Sequence, residues 1–247
     1  MIPDNLRNEY SMNGNVEIIE SYISYGVNRS LYHYSKENVE RFIAMASRRE
    51  SSHYPETDQW LYEALDKYSI SKHNTLIIGS EEPYYEGIAI HKGAKVTLVE
   101  YQRITSNHPD ISCLTVDEFN TINNSYDSAI SISSVEHSGL GRYGDELDPD
   151  GDIKSMALLR ERLNHNGLCF LAVPIGKDQI LWNAHRVYGN IRFKKLIDGF
   201  EILQSFGLDY DNDFQTDEHL RRINGKKPSR PGTSGGAHQP VFVLRKS

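Results

Sequence analysis

Apolar side chains recur every three to four residues from near Lys36, at Val39, Phe42, Ile43 and Ala46, and the spacing returns between Asp58 and Tyr68 at Leu61, Ala64 and Leu65. Both stretches predict helices with one buried face, placed to cover a side of the core or the mouth of a cleft. Residues 1 to about 35 are rich in Asn, Ser and Tyr with little periodicity, and predict an irregular lead-in. From Asn74 the pattern changes to short apolar runs alternating with helical stretches. Thr75-Leu76-Ile77-Ile78 ends at Gly79, and Lys95 to Val99 closes on Glu100. Further strands are expected at Ile111–Val116, Asp127–Ser133 and Leu168–Val173, the last ended by Pro174. Runs apolar at consecutive positions suit parallel strands buried on both faces.

Between the first two runs, Pro83 occupies a permitted first-turn position of a short helix and Gly93 lies past its end. Another helix is expected from Ile153 to Leu163, with Asp152 as its N-cap and Asn166-Gly167 as its stop. Glu201–Phe206 and Pro240–Leu244 predict two closing strands, separated by a long polar insert that includes KKPSRPGTSGGAHQ and is expected to form a mobile loop. The alternation predicts an α/β, Rossmann-like architecture, a mostly parallel seven-stranded sheet with helices on both faces and an N-terminal helical extension. The extension would cover residues 1–72 and the sheet domain residues 73–247. Ligands of such sheets bind beyond the carboxyl ends of the strands, which directs attention to Gly79, Glu100, Asp117, Ser133 to His137 and the segment after Pro174.

Composition narrows the partners. Asp and Glu outnumber Lys and Arg, 34 to 27, for a formal net charge of -7, and no long basic run is present, so nucleic acid is not expected as a partner. No stretch approaches the roughly 20 apolar residues that cross a bilayer, and the N-terminus lacks a signal-peptide pattern, so a soluble protein without a membrane span is expected. Cys113 and Cys169 sit in apolar strand-like runs, which suits reduced thiols and a cytoplasmic compartment.

The turn after the first strand discriminates between cofactors. Glu100 lies 21 residues beyond Gly79, close to the spacing at which an acidic side chain closing the second strand receives two ribose hydroxyls. A dinucleotide would also lay its pyrophosphate on the following helix N-terminus. Here Ser80, Glu81 and Glu82 occupy that turn, and two carboxylates facing two phosphates would cost on the order of a kcal/mol each even when solvated. S-adenosylmethionine has no phosphate and carries a sulfonium and an ammonium, which carboxylates favour. Glu81 and Glu82 could equally serve the dipole of the following helix.

The run SISSVEHSGLGRYGDELDPDGD, followed by NGLCFLAVPIGKD and WNAHRVYGNIR, resembles the domain-of-unknown-function family numbered 268, whose members look like class I methyltransferases. The likeness extends from roughly Thr75 to the C-terminus and implies the Rossmann-like methyltransferase fold. It brings no settled reaction or acceptor. With S-adenosylmethionine as the expected cofactor, Gly79, Ser80 and Glu81 would lie near the methionine portion, Glu100 on the ribose, Asp117 or Glu118 near the adenine, and Ser133 and Ser134 under the sulfonium.

Methyl transfer is an in-line displacement and needs a base when the acceptor is a hydroxyl. His137, in the glycine-rich segment after the fourth strand, is the first candidate for that base, with Glu136 orienting it or binding the cofactor. His185 is the second candidate. Arg186 could hold an anionic acceptor bidentately, or bridge loop carboxylates such as Asp145 or Asp152. The acidic stretch Asp145 to Asp152 lacks the spacing of an EF-hand, so no metal is assigned, although Asp145, Asp148 or Asp150 could hold a divalent ion. Tyr22, Tyr25, Tyr32 and Tyr34 could line an acceptor groove or serve as surface packing. The expected function is methyl transfer to a small hydroxyl-bearing acceptor, a glycan or an activated sugar. Two other readings stay open: a non-catalytic Rossmann-like module that binds a partner protein, and a nicotinamide-dependent enzyme of sugar nucleotides. A homodimer is also left open.

Overall fold

In a computed structural model that describes residues 2–23, 32–214 and 238–247, the alternation of strand and helix becomes a single large sheet with two flanking layers. The N-terminal part forms α1 (Arg7–Tyr10), β1 (Glu17–Ser21), β2 (Tyr32–Tyr34), α2 (Lys36–Ser47) and α3 (Pro55–Lys67). The central part runs β3 (Asn74–Ile78), α4 (Tyr84–His91), β4 (Lys95–Glu100), β5 (Ile104–Ser106), β6 (Ile111–Thr115), α5 (Val116–Thr121), β7 (Tyr126–Ile132), α6 (Gly151–Arg162) and β8 (Leu163–Ala172). It is followed by β9 (Gln179–Asn183), β10 (His185–Val187), α7 (Arg192–Leu196), β11 (Phe200–Phe206), α8 (Tyr210–Asp213) and β12 (Val241–Lys246).

Seven strands pair in the order β11-β12-β8-β7-β3-β4-β6. β6, β4, β3, β7 and β8 are mutually parallel, and β12 alone runs against its neighbours on both sides. The chain goes outward from β3 to β4 and β6, then returns to the other side of β3 as β7. That reversal opens a crevice between the carboxyl ends of β3 and β7, where a Rossmann-like sheet receives its ligand.

Consecutive strand residues face opposite layers. Ile77, Leu98, Ile130, Phe170 and Val243 pack with Val39 and Phe42 of α2, Leu61 and Leu65 of α3 and Ile88 of α4. Leu76, Val99, Ala129, Cys169 and Phe242 pack on the other face with Phe119 of α5, Met156 and Leu159 of α6 and Phe193 of α7. Each strand is therefore buried on both sides, which is why its sequence is apolar without alternation. The helices α2 and α3 share this core with the sheet. Both cysteines are free thiols, Cys169 buried and Cys113 half-buried.

Several expectations are corrected. The N-terminal lead-in is not irregular throughout. β1 pairs in parallel with β9, placing Glu17 opposite Gln179, β10 joins β9 on its other side, and β2 pairs with β5. These strands of three to five residues are too short to leave a periodic signature, and their partners are remote in sequence. α3 begins at Pro55, in the first helical turn, rather than at Asp58. Val116 opens α5 instead of ending a strand, because Thr115 and Glu118 form a capping box there. Asp152 is not an N-cap: it lies inside α6 with its side chain buried. Asn166-Gly167 does not stop that helix, since β8 starts directly at Leu163, and Asn166 adopts φ +60° where the register with β7 slips. Of the polar insert, residues 215–237 lie outside the described residues, as does Tyr25; Gln239 is buried, its carbonyl accepting from Thr57 Oγ at 2.8 Å.

The contact between α2 and α4 depends on Gly87. A Cβ there would stand 2.8 Å from both the carbonyl carbon and the Cβ of Phe42. Gly87→Ala should therefore lose more by overpacking, about 1–3 kcal/mol, than the ~1 kcal/mol that alanine adds to a helix. Urea unfolding should show a net destabilisation, and a stabilised variant would contradict this packing.

Candidate functional site

The turn after β3 is built around Ser80. Gly79 bends the chain at φ +74°, a left-handed conformation, and a Cβ on it would collide with the Ser134 side chain. Its N–H donates to the Val99 carbonyl at 3.2 Å, tying the turn to the end of β4. The Ser80 N–H donates to Glu100 Oε1 at 3.1 Å, and the Ser80 carbonyl accepts from the Tyr34 hydroxyl at 2.7 Å. Glu100 Oε2 accepts from the Tyr101 N–H at 2.7 Å. Burial raises the Glu100 pKa, opposed by these backbone donors. Its carboxylate is thus held in one orientation at the crevice.

A cavity of about 560 Å³ opens above this turn, and its wall includes Gly79, Ser80, Glu81, Glu100, Ser133, Ser134 and His137. The sequence singled out each of these. Asp117, Glu118, Glu136, His185 and Arg186 are not part of the wall. Glu118 closes the capping box and takes a bidentate pair from Arg103 at 2.8 and 2.9 Å, while Asp117 is exposed. Val116, Phe119, Leu158 and Gln102 line the cavity beyond Glu100 instead. Sequence reasoning passed over Val116, Phe119 and Leu158 because apolar helix residues carry no chemical signature, and over Gln102 because a polar residue in a short connection carries none either.

The segment after β7 shapes the opposite wall. Ser133 takes φ +51°, its hydroxyl donates to Glu136 Oε1 at 2.8 Å, and a single 3-10 turn follows over Val135–His137. The Glu136 side chain is fully buried, and burial pushes its pKa up to about 7. His137 Nδ1 lies 2.6 Å from the Ala184 carbonyl, which can only accept, so Nδ1 carries the hydrogen and Nε2 keeps its lone pair. Arg142 Nη1 donates to the same carbonyl at 2.9 Å. Burial first, then the Arg142 charge, depresses the His137 pKa to about 3. The 3.7 Å approach of His137 Nε2 to Glu136 Oε1 has the form of an ion pair. With the imidazole neutral, it is instead a contact without a cation.

Carboxylate and guanidinium groups hold this loop in place. Asp145 accepts from the N–H groups of Gly139, Gly141 and Tyr143 at 2.7, 3.1 and 3.2 Å. Asp148 pairs with Lys154 at 2.6 Å, and among the described residues no three acidic, His or Cys side chains converge as a metal site. Arg186 is fully buried; its Nη1 donates to the Ser138 carbonyl at 2.6 Å and its Nη2 to the Pro149 carbonyl at 3.2 Å. Its Nε lies 3.6 Å from Asp152 Oδ1, and Arg186 is not among the cavity-lining residues. His185 lies in β10, not in a loop, buried with its ring centroid 6.3 Å from that of His137. Burial, reinforced by Arg142, lowers its pKa to about 4.

Glu136 makes the stability of this wall pH-dependent. Its folded pKa of about 7 exceeds the ordinary 4.5, so the folded state holds a proton that the unfolded state releases between those values. Stability present below pH 4.5 is then lost as pH rises to about 7, up to about 3 kcal/mol. Glu136→Gln should remove that loss. Denaturant titrations of both proteins across this range should show a gap that opens with pH, and a constant gap would contradict the assignment.

Comparison with solved structures places the fold. That of a 1,6-didemethyltoxoflavin-N1-methyltransferase from Burkholderia thailandensis, bound to 1,6-didemethyltoxoflavin and S-adenosylhomocysteine, is similar at TM-score 0.50 and 13% identity, over 85% of this chain and 87% of that one. A TehB-like SAM-dependent methyltransferase from Corynebacterium glutamicum aligns at TM-score 0.48 and 15% identity, over 86% of this chain and 97% of its own. No protein of curated function matches the chain in sequence. At this identity the first likeness concerns the fold alone, and the fold is the Rossmann-like one of class I methyltransferases. The model of the family described as "Caenorhabditis protein of unknown function, DUF268" matches residues 72–246, and the chain belongs to that family.

Proposed function

We propose that the chain is an S-adenosylmethionine-dependent methyltransferase acting on a small hydroxyl-bearing acceptor, a glycan or an activated sugar. The observation that carries this reading is the acidic turn beneath the cavity. Glu81, Glu82 and Glu100 all line the cavity, which suits a cationic ligand and opposes a diphosphate. Gly79 lets the Ser134 side chain pack directly against this turn, where a Cβ would collide with it. When bound, the cofactor supplies an electrophilic methyl group on a sulfonium.

The chain's own residues divide the remaining work. Glu100 takes the ribose hydroxyls, its carboxylate already oriented by the N–H groups of Ser80 and Tyr101. Val116 and Phe119 offer apolar walls to the adenine, a better fit than the engaged Glu118. Ser80, Ser133 and Ser134 stand nearest the methionine end. His137 presents Nε2 as an acceptor for the hydroxyl proton of the substrate, since Nδ1–H is spent on Ala184. With a pKa of about 3 it does not store that proton, so deprotonation accompanies methyl transfer rather than preceding it. Tyr32 and Tyr101, both partly exposed, join Tyr54 and Tyr143 in the wall, and these aromatic faces support a sugar-like acceptor. The two rival classes lack such a supporting observation.

Calorimetry with S-adenosylhomocysteine should show binding that Glu100→Ala weakens at least about tenfold, the worth of one charge-assisted hydrogen bond. Thermal unfolding should rise with that ligand and not with NAD. Unaltered affinity in the variant would remove Glu100 from the ribose, and stabilisation by NAD alone would replace the whole reading.

His137→Ala should lower turnover by about 10²- to 10⁴-fold with S-adenosylhomocysteine affinity nearly intact. Full activity in that variant would exclude His137 as the base.

A further inference from the structure

Glu86 lies on α4 behind Ser80, fully buried and outside the cavity wall. The Ser80 Oγ has two oxygen neighbours, the Glu82 carbonyl at 2.6 Å and Glu86 Oε2 at 3.0 Å. A hydroxyl carries one hydrogen. The carbonyl can only accept, and the shorter bond takes that hydrogen, so Ser80 Oγ meets Glu86 as an acceptor. The remaining proton must then belong to Glu86. Its other oxygen, Oε1, has no hydrogen-bond partner among the described residues, which a neutral carbonyl oxygen tolerates far better than a carboxylate.

The surroundings agree with a neutral acid. The titratable groups facing Glu86 are the Tyr34 phenol of β2, the Glu100 carboxylate closing β4 and the Cys113 thiol of β6, none of them cationic. The helix α2 meets α4 at the next residue, Gly87, through Phe42 and the Ile43 backbone. Burial, with Glu100 adding to it, pushes the Glu86 pKa up to about 8.

We propose that Glu86 is a positioning residue, kept as a neutral carboxylic acid whose O–H donates to Ser80 Oγ and thereby fixes the turn that faces the cofactor. This rests on the methyltransferase reading of the cavity. Ser80 is then held at three atoms: its N–H by Glu100, its carbonyl by Tyr34 and its hydroxyl between Glu82 and Glu86. When Glu86 ionises, one hydrogen disappears from this network. Ser80 must then drop either the Glu82 carbonyl or Glu86, and a second carboxylate stands behind Glu100. Glu86→Gln preserves a donor at the same place without a charge that titrates.

Two measurements decide the matter. Infrared difference spectra at neutral pH should show the carbonyl stretch of a protonated carboxyl that vanishes in Glu86→Gln; an unchanged spectrum would overturn the proposal even if no ligand binds. Between about pH 7 and pH 9, S-adenosylhomocysteine affinity of the unaltered protein should fall at least about threefold relative to Glu86→Gln, the two being equal near pH 7. Parallel profiles would overturn the positioning role. Glu86→Ala should bind about tenfold more weakly throughout, and where that variant does not fold, the Gln variant carries the test. Failure of the unaltered protein to bind at any pH would count against the cofactor reading, leaving the infrared band to judge Glu86.

Discussion

One buried carboxylate, Asp152, organises the half of the site that has almost no regular structure. Arg192 donates to it from α7 through Nε at 2.9 Å and Nη2 at 2.5 Å, the Tyr188 hydroxyl donates at 2.9 Å, and Arg186 lies alongside from β10. Burial opposes its ionisation, yet the two guanidinium groups outweigh that cost and hold its pKa below the ordinary carboxylate range. Such a cluster is tolerated only when its hydrogens find acceptors. The Nη groups of Arg186 and Arg192 do so on main-chain carbonyls of the loop between β7 and α6, those of Glu136, Ser138, Asp148 and Pro149, while Arg186 Nε has no hydrogen-bond partner among the described residues. The loop therefore takes its shape from residues that follow it by some forty positions in the chain.

That arrangement extends to the candidate base. Ala184 sits between β9 and β10, so its carbonyl is delivered to His137 by the small sheet in which β1 also pairs. Tyr10 of α1 closes the same corner, its hydroxyl donating to the Gly139 carbonyl at 2.5 Å. The N-terminal segment thus supports the His137 side of the crevice, while β2 supports the Ser80 side through Tyr34.

The carboxyl groups around the crevice occupy three different environments. Glu81 and Glu82 are exposed, Glu100 is half-buried with backbone donors, and Glu86 and Glu136 are fully enclosed, with no Lys or Arg ion pair among the described residues. Desolvation raises the pKa of Glu86, Glu100 and Glu136, and the first and last of these lie outside the cavity wall.

Much of this was legible in the residues. The strands β3, β4, β7, β8 and β12 announce themselves because burial on both faces demands apolar runs, and Gly79, Ser80 and Glu100 follow from where those runs end. The segment from Ser133 to His137 was placed at the crevice for the same reason. The remainder depended on contacts between distant parts of the chain. Asp152 at a helix start looks like a cap until Arg186 and Arg192 arrive beside it, and Arg186 has the same sequence whether it meets a substrate or four carbonyls. Glu86 in YYEGIAIH looks like any polar helix position, and its burial depends on β2, β4 and β6 closing around it. Local pattern determines which segments become strands and helices, because backbone pairing and apolar burial are written in spacing. The charge, tautomer and accessibility of a polar side chain belong to the tertiary structure, because they are set by the desolvation and hydrogen-bond partners that folding supplies.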